Sequence, residues 1–232
     1  MNMASQQIRI GLTTNQPCSY IKEQEERVAI VLEKYCHDEA HFEMLLANGF
    51  RRSGDVIYKP QCDHCQSCQA LRIAIPEFKA TRSQKRILSK STHLSWSIKT
   101  ELDDGWFELY AKYINARHTT GSMYPPKKEQ FFDFAKCGWM TMHFLHIYDG
   151  ETLVGIAITD ILENSASAFY TFFDPDVPLS LGTLAILFQA QYCQLYNKQW
   201  LYLGYQIDQC SAMNYKTRFQ RHQRLVNQRW QG

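Results

Sequence analysis

Residues 62–68 read Cys-Asp-His-Cys-Gln-Ser-Cys. Three thiols, each separated from the next by two residues, can converge on one soft cation or on an iron–sulfur cluster, because a Cys-x-x-Cys turn lets both sulfurs face inward. Zinc and an iron–sulfur cluster both suit such ligands, and spacing alone does not choose between them. Cys62, Cys65 and Cys68 leave a fourth ligand position. Cys18, in the short turn Pro17-Cys18-Ser19-Tyr20, is the candidate for it, while His64 sits inside the motif and points elsewhere. The alternative is a loop of reduced cysteines without metal. No Cys–His–Asp arrangement can be assembled from the sequence, so a nucleophilic role is not expected. Cys36, Cys137 and Cys193 lie in or beside helical patterns and read as small core residues. Cys210 follows a strand end, where it is either close to a site or simply packed.

The second chemical signal is charge. The net charge of +2 says little, but from Phe78 to Thr100 there is no acid, while Lys79, Arg82, Lys85, Arg86, Lys90 and Lys99 supply six cations. From Gln209 to Gly232 there is again no acid, against Lys216, Arg218, Arg221, Arg224 and Arg229. Two such stretches in a near-neutral chain suggest a polyanionic partner, the alternative being two ordinary solvated surfaces. The opening residues MNMASQQIRIGLTTN hold no apolar segment of signal-peptide type, and no apolar run approaches the roughly 18 residues that would span a bilayer. A cytoplasmic protein with no membrane partner is therefore expected, its eight cysteines reduced or metal-bound.

The 232 residues, 45% of them hydrophobic and 13% aromatic, suffice for one large domain or two small ones. Val28, Val31, Leu32 and Tyr35 share one helical face, which predicts a helix over Glu25–Tyr35. A second helix is predicted over Asp38–Asn48, with Asp38 as N-cap and Gly49 ending it. Strand signals follow at Asp55–Tyr58, Leu71–Ile75 and His93–Ile98. Glu101–Gly105 reads as a boundary. Beyond it come helices over Trp106–Arg117 and roughly Lys128–Lys136. An Asp149-Gly150 hairpin then joins Met140–Tyr148 to Thr152–Ile161. A strand over Ala166–Phe173, a long apolar helix over Leu181–Tyr196 and a strand over Trp200–Gly204 complete the series, with a final helix possible after them.

These residues resemble a known family. The segments PCSYI (17–21), GFRRSGDVIYKPQCDHCQSCQALRIAI (49–75) and SQKR (83–86) are similar to the N-terminal part of the aminoacyl-tRNA–protein transferases. YTFFDPD (170–176), SLGTLAIL (180–187) and YLGYQIDQCSAMNYKTRF (202–219) are similar to its C-terminal part. The order is the expected one and the match runs through nearly the whole chain. Length and cysteine loop look like the bacterial branch, the aspartate/glutamate leucyltransferases. The resemblance implies an α+β protein with a small cysteine-bearing N-terminal module, residues 1–104, and a C-terminal domain, residues 105–232, similar to the GNAT class of N-acetyltransferases. It implies transfer of leucine from leucyl-tRNA to the α-amine of acceptor proteins beginning with Asp or Glu, which marks them for degradation. Relatives carry an iron–sulfur cluster in the N-terminal module, but Ile21 stands here where their motif has a second Cys. The alternatives are the same reaction with arginyl-tRNA and, in another class, a metal-stapled RNA-binding module without catalysis. A coenzyme A donor is disfavoured, because the pyrophosphate loop of acetyltransferases is replaced by Leu179, Gly182 and Leu184.

The implied chemistry is aminolysis of an ester already activated by tRNA charging, so no cofactor is required for it. The enzyme must align two macromolecules, stabilise a tetrahedral oxyanion and protonate the ribose leaving oxygen. Tyr170, Asp174 and Tyr205 lie at strand ends that line the cleft in such an architecture, and they are the candidate catalytic groups. Their alternatives are core aromatics with satisfied hydroxyls and a turn aspartate. Arg72 and Arg82 are candidates to clamp the acceptor's first carboxylate. Lys85, Arg86, Lys216, Arg218 and Arg221 suit the tRNA backbone. The pocket for the leucine side chain is expected from Phe169–Phe173. Removing a catalytic group by Tyr170→Phe, Asp174→Asn or Tyr205→Phe is expected to lower the single-turnover transfer rate. A variant that keeps the full rate takes that residue out of the mechanism.

Overall fold

The structure, a computed structural model, describes residues 7–232. The Met1–Gln6 part of the opening stretch lies outside the described residues. The fold is mixed α+β, built on one large sheet. Near the N-terminus, β1 (Ile10–Leu12), β4 (Val28–Val31), β5 (Arg51–Ser53) and β6 (Val56–Pro60) form a four-stranded antiparallel sheet in the order β1-β4-β6-β5. A short pair, β2 (Gln16–Pro17) with β3 (Glu25–Glu26), lies beside them in sequence. Helix α1 (Glu39–Ala47) connects β4 to β5. Its ends follow local rules: the Asp38 side chain accepts from the His41 amide at 2.8 Å, and Gly49 leaves the helix at φ +85°.

The large sheet runs β14-β13-β7-β12-β11-β10-β9-β8. Its strands are β7 (Gln69–Ala74), β8 (Leu94–Lys99), β9 (His143–Asp149), β10 (Thr152–Ile161), β11 (Ser165–Phe173), β12 (Trp200–Gln206), β13 (His222–Val226) and β14 (Arg229–Gln231). β11 and β12 are parallel and the other neighbours antiparallel. Helices α2 (Arg82–Lys90) and α5 (Leu181–Leu195) cover one face, where Leu71, Ile73, Ala166, Leu201 and Leu203 pack against Ile186, Leu187 and Ala190. Helices α3 (Trp106–Arg117) and α4 (Lys128–Ala135) cover part of the other face through Tyr110, Phe131 and Phe172. The rest of that face takes the N-terminal sheet and α1, with Phe42, Leu46, Ile57 and Tyr202 in one core. Two strands from the first 104 residues, β7 and β8, are members of the large sheet, so one hydrogen-bonded layer crosses position 104. Among the described residues no helix is long and apolar enough to cross a membrane.

The helix expected over Glu25–Tyr35 is mostly strand. Val28–Val31 pairs with both β1 and β6, and burial alternates, with Ala29 and Val31 inside. Leu32 and Tyr35, expected on the apolar helix face, are exposed. Three β-branched residues in four, with partners on both sides, favour the extended form over a helix. The possible final helix is reduced to one short 3-10 stretch, Asn214–Arg218, and the chain then closes with the β13–β14 hairpin. Asn227 and Gln228 both take positive φ, 49° and 60°, the backbone of a two-residue turn whose twist matches its strands. The converse case is α2, which strand and charge patterns hid. It opens with a capping box in which the Thr81 hydroxyl accepts from the Gln84 amide and the Gln84 side chain accepts from the Thr81 amide.

One buried ion pair joins the two sheets. The Arg52 guanidinium on β5 donates from Nε and Nη2 to the Asp160 carboxylate on β10, the shortest contact 2.6 Å, with both side chains essentially sealed from solvent. Its Nη1 donates to the Ala135 carbonyl at the end of α4 at 2.7 Å, and its face lies 4.1 Å from the Phe169 ring centroid. Burial pushes the Asp160 carboxyl up from the usual range, opposed by the charge and hydrogen bonds of Arg52. Removing one partner strands the other charge in the interior. Asp160→Ala is expected to lower unfolding free energy by about 3–5 kcal/mol, measured by urea denaturation.

Candidate active site

β11 and β12 run together only from Ser165↔Trp200 to Ser167↔Tyr202, and beyond that the two parallel strands part. An irregularity lies on each side of the split. Along β10, Ile158 faces Tyr170 while Thr159 faces Ala168, so Phe169 is an extra residue that re-aims the remainder of β11. Along β7, the register slips between Tyr202 and Tyr205, where Gly204 takes φ +80°. A side chain at position 204 would strain the left-handed backbone, although a Cβ there would meet the Lys216 ammonium only at an ordinary contact distance of 3.7 Å, so it is the backbone that calls for glycine.

The three expected catalytic residues lie past the last β11–β12 pair, Tyr170 and Asp174 on and just beyond β11 and Tyr205 on β12. Tyr170 packs edge-on against Phe134, ring centroids 5.3 Å apart, and burial pushes its hydroxyl well above the ordinary phenol range. Asp174 accepts from the Lys112 ammonium at 2.7 Å and from the Asp176 amide at 2.9 Å. Burial tends to raise its pKa, but the Lys112 hydrogen bond and charge with the Asp176 amide prevail and hold it below the usual carboxylate range. The Tyr205 hydroxyl donates to the Gly49 carbonyl at 2.9 Å, and burial likewise pushes its pKa far up. At neutral pH the site therefore presents two protonated phenols and one ionised carboxylate. Tyr205 is already committed to the chain that precedes β5.

Tyr205 also borders a cavity of about 470 Å³ between the N-terminal sheet and the end of the large one. Cys18, Cys62, Cys65 and Cys68 all line it, so the fold brings the four expected sulfurs to one place. Burial, reinforced by the neighbouring Cys62, Cys18 and Cys65, pushes the Cys68 thiol up to about 12. Sulfur is the right donor for zinc or an iron–sulfur cluster. Among the described residues, however, no group of three or more Cys, His, Asp or Glu is arranged to hold a metal ion. The sulfurs converge without closing into a metal centre, and no chemical step is assigned to such a group.

The expected acceptor clamps are placed differently. Arg72 lies with its guanidinium 3.5 Å from the Trp200 ring centroid and 4.1 Å from that of Trp230, and its Nε donates to Gln223 at 2.9 Å. Indole rings cover it and it does not border the cavity, so its role is to staple β7, β12 and β14. Arg82 is exposed on the first turn of α2, on the α5 side of the sheet and away from the cavity. Of the cations expected on tRNA, Arg82's neighbours Lys85 and Arg86 are exposed, as are Arg218 and Arg221. Gln84 donates to the Arg218 carbonyl at 3.3 Å, so the two acid-free stretches meet on one side of the molecule. Lys216 departs from this set. It is buried, with its ammonium donating to the Tyr205 carbonyl, and a buried cation cannot serve as a surface phosphate contact. Sequence reasoning missed Arg51 and Arg52. Their signal was an arginine doublet between the core residue Phe50 and the Ser53-Gly54-Asp55 turn.

The fold sets a strand split beside a cysteine-lined cavity, with a basic surface on another side of the sheet, and comparison with known proteins defines the class. The family model described as arginine-tRNA-protein transferase, N terminus, matches residues 16–86, and the one described as its C terminus matches residues 105–226. This chain belongs to that family of aminoacyl-tRNA–protein transferases. Within it, the chain is 62% identical, over the whole of both proteins, to the aspartate/glutamate leucyltransferase of Vibrio parahaemolyticus. It is 61% identical, again end to end, to the protein of the same name from Vibrio cholerae. The Shewanella protein of that name is 43% identical over 99% of this chain and 97% of its own. Among solved structures, the L-PGS of Bacillus licheniformis overlays with a TM-score of 0.46 at 6% identity, covering 75% of this chain and 52% of that one.

Charge reversal by Lys85→Glu with Arg86→Glu is expected to raise the apparent constant for the charged tRNA and to flatten its salt dependence by about two counterions. A slope equal to that of the unaltered protein, measured by titration at several salt concentrations, removes this helix from the tRNA surface.

Proposed function

We propose that this protein is an aminoacyltransferase that moves leucine from leucyl-tRNA to the α-amine of acceptor proteins beginning with Asp or Glu, marking them for degradation in the cytoplasm. The observation that carries the reading is end-to-end identity of 62% with a relative named aspartate/glutamate leucyltransferase. Three features of the fold support it. The parallel, splayed β11–β12 pair following two helices and an antiparallel β9–β10–β11 run fits a GNAT-like C-terminal domain from residue 105 onward. Segments of the N-terminal sheet and the cysteine loop border one cavity with Tyr205, the β12 residue beside that split. The exposed basic side offers spread-out charge for an RNA backbone.

In the reaction, the acceptor's α-amine nitrogen attacks the ester carbon of the aminoacyl group. A C–N bond forms, and the C–O bond to the tRNA ribose breaks. One amine proton leaves the nitrogen, and one proton arrives at the ribose oxygen. The amine has a reference pKa of about 7.7–8.0, so a useful fraction is neutral without a strong base. Tyr170, its proton held firmly by burial, is suited to donate a hydrogen bond to the oxyanion or the departing oxygen. Asp174, kept ionised by Lys112, is too weak a base to take the amine proton but is suited to orient the amine and to face its developing positive charge. Tyr205 would hold the cavity wall in place through Gly49. The ester is activated in advance, so no cofactor enters the step. A zinc ion or iron–sulfur cluster on Cys18, Cys62, Cys65 and Cys68 would act as a staple, and metal analysis of anaerobically purified protein tests for it.

The deciding experiment incubates the protein with a peptide beginning with Asp or Glu and either leucyl- or arginyl-tRNA, followed by mass measurement. The expected product carries one added leucine, and only with the leucyl donor. Addition of arginine instead would reassign the donor. No added mass with either donor overturns the proposal.

A further inference from the structure

Two cations are buried side by side at the strand split with no carboxylate of their own. Arg51 on β5 and Lys216 are each 7% exposed. Neither is in an ion pair among the described residues, and the nearby Asp160 carboxylate is taken by Arg52. The Arg51 Nη atoms donate only to main-chain carbonyls, of Phe50 at 2.9 Å and Gly204 at 3.4 Å, and its buried Nε has no partner. The Lys216 ammonium meets the Tyr205 carbonyl and the Met213 sulfur. Such an arrangement opposes folding: each charge loses its hydration, and the two repel. Burial and the neighbouring Arg51 together lower the Lys216 pKa to about 8.

These charges stand directly behind the wall of the cysteine-lined cavity. Arg51 is paired across the strands with Tyr58, and its guanidinium is 5.8 Å from the Tyr205 ring centroid; both tyrosines line the cavity. Lys216 holds the carbonyl of that same Tyr205. The other formal charges on the lining cancel, Glu25 and Glu26 against Arg27 and Lys59. Glu26 is held by Ser19, and Arg27 by Asp63. With Asp63 on Arg27, these side chains leave one negative charge, and the two interior cations turn the balance of the surroundings positive, in a medium where charge acts over longer distances than in water.

We infer that Arg51 and Lys216 are the specificity-determining pair for the acceptor: their field makes this cavity take an amino-terminal residue with a side-chain carboxylate, whose charge completes theirs. The inference rests on the aminoacyl-transfer reading above and assigns its acceptor subsite. A carboxylate fits better than an RNA phosphate for two reasons. The exposed cations of α2 and the Arg218 region already offer the spread surface that a polyanion needs. A cavity of about 470 Å³ has room for the end of a peptide and not for a polynucleotide. Its border at Tyr205 also sets such a residue beside the strand split, where its α-amine would meet the ester.

The test uses Lys216→Met and Arg51→Lys in the full-length protein, with peptides beginning Asp and matched peptides beginning Asn. Met in place of Lys removes a buried charge and keeps the volume, so the fold is not endangered; a thermal melt checks this. At saturating leucyl-tRNA, Lys216→Met is expected to lower kcat/KM for the Asp peptide by at least about tenfold, through KM. The Asp-over-Asn preference should fall by the same factor, KM for leucyl-tRNA should stay put, and Lys216→Arg should recover most of the preference. A folded Lys216→Met protein with the original Asp-over-Asn ratio, or one impaired equally on both peptides, overturns the assignment. Direct binding of a fluorescent Asp peptide without tRNA separates this inference from the transfer reading. Binding that prefers Asp over Asn, is lost in Lys216→Met and is largely kept in the charge-conserving Arg51→Lys upholds the subsite even if no leucine is transferred, and binding indifferent to the first residue refutes it.

Discussion

The buried contact between Arg52 and Asp160 is the constraint on which the arrangement of the molecule turns. Its geometry is satisfied on every side: two guanidinium nitrogens on the carboxylate, a third on the Ala135 carbonyl, and the flat face over Phe169. A charge pair this deep contributes little net stability over apolar residues of the same shape, yet it tolerates one docking position only, since any shift strands two charges away from water. Supporting contacts repeat the same join. The Gly54 amide donates to the Phe134 carbonyl at 2.7 Å, and the Gly138 amide donates to Asp55 at 2.7 Å. The N-terminal sheet is therefore held in register with β10 and α4. Arg51, the adjoining residue on the same strand, is delivered to the strand split as a consequence.

The split is a product of local geometry. Sheet twist and pairing would keep β11 and β12 together, but the extra residue at Phe169 and the left-handed Gly204 release them on both sides. The result is an opening in the middle of a continuous sheet, where backbone groups freed from the ladder become available for other partners. The Gly204 and Tyr205 carbonyls find those partners in Arg51 and Lys216. Opening the sheet and burying two cations are thus one structural event. Each feature offsets part of the other's cost, because unpaired carbonyls and unpaired ammonium groups are each unfavourable in the interior.

Charge is divided by depth. Arg82, Lys85, Arg86, Arg218 and Arg221 are solvated, and their fields are screened within about 10 Å at ordinary salt. Such charges suit a long, mobile polyanion read by its backbone. Arg51 and Lys216 are shielded from salt and held rigidly, which suits discrimination of a single small anion. A protein that joins an RNA ester to a peptide amine has to handle both kinds of negative charge, and the two sets of cations lie in different layers of the fold.

The sequence by itself determined most of the elements and the class of the protein. Capping residues around α1, the turn at Gly150 and the apolar periodicities from Trp106 to Leu195 are local signals, written within a few residues of the structure they cause. Motif order along the chain was enough to point to the family. Tertiary structure alone decided the rest. Val28–Val31 became a strand because β1 and β6 offered partners from both sides. Lys216, a cation two residues from the exposed Arg218, is held inside, where its ammonium meets the carbonyl of Tyr205. Arg72 was withdrawn from the site by two tryptophans far away in sequence. Whether a charged side chain meets water, an indole or an orphaned carbonyl depends on what long-range packing brings to it. Residue type and local spacing carry no record of that.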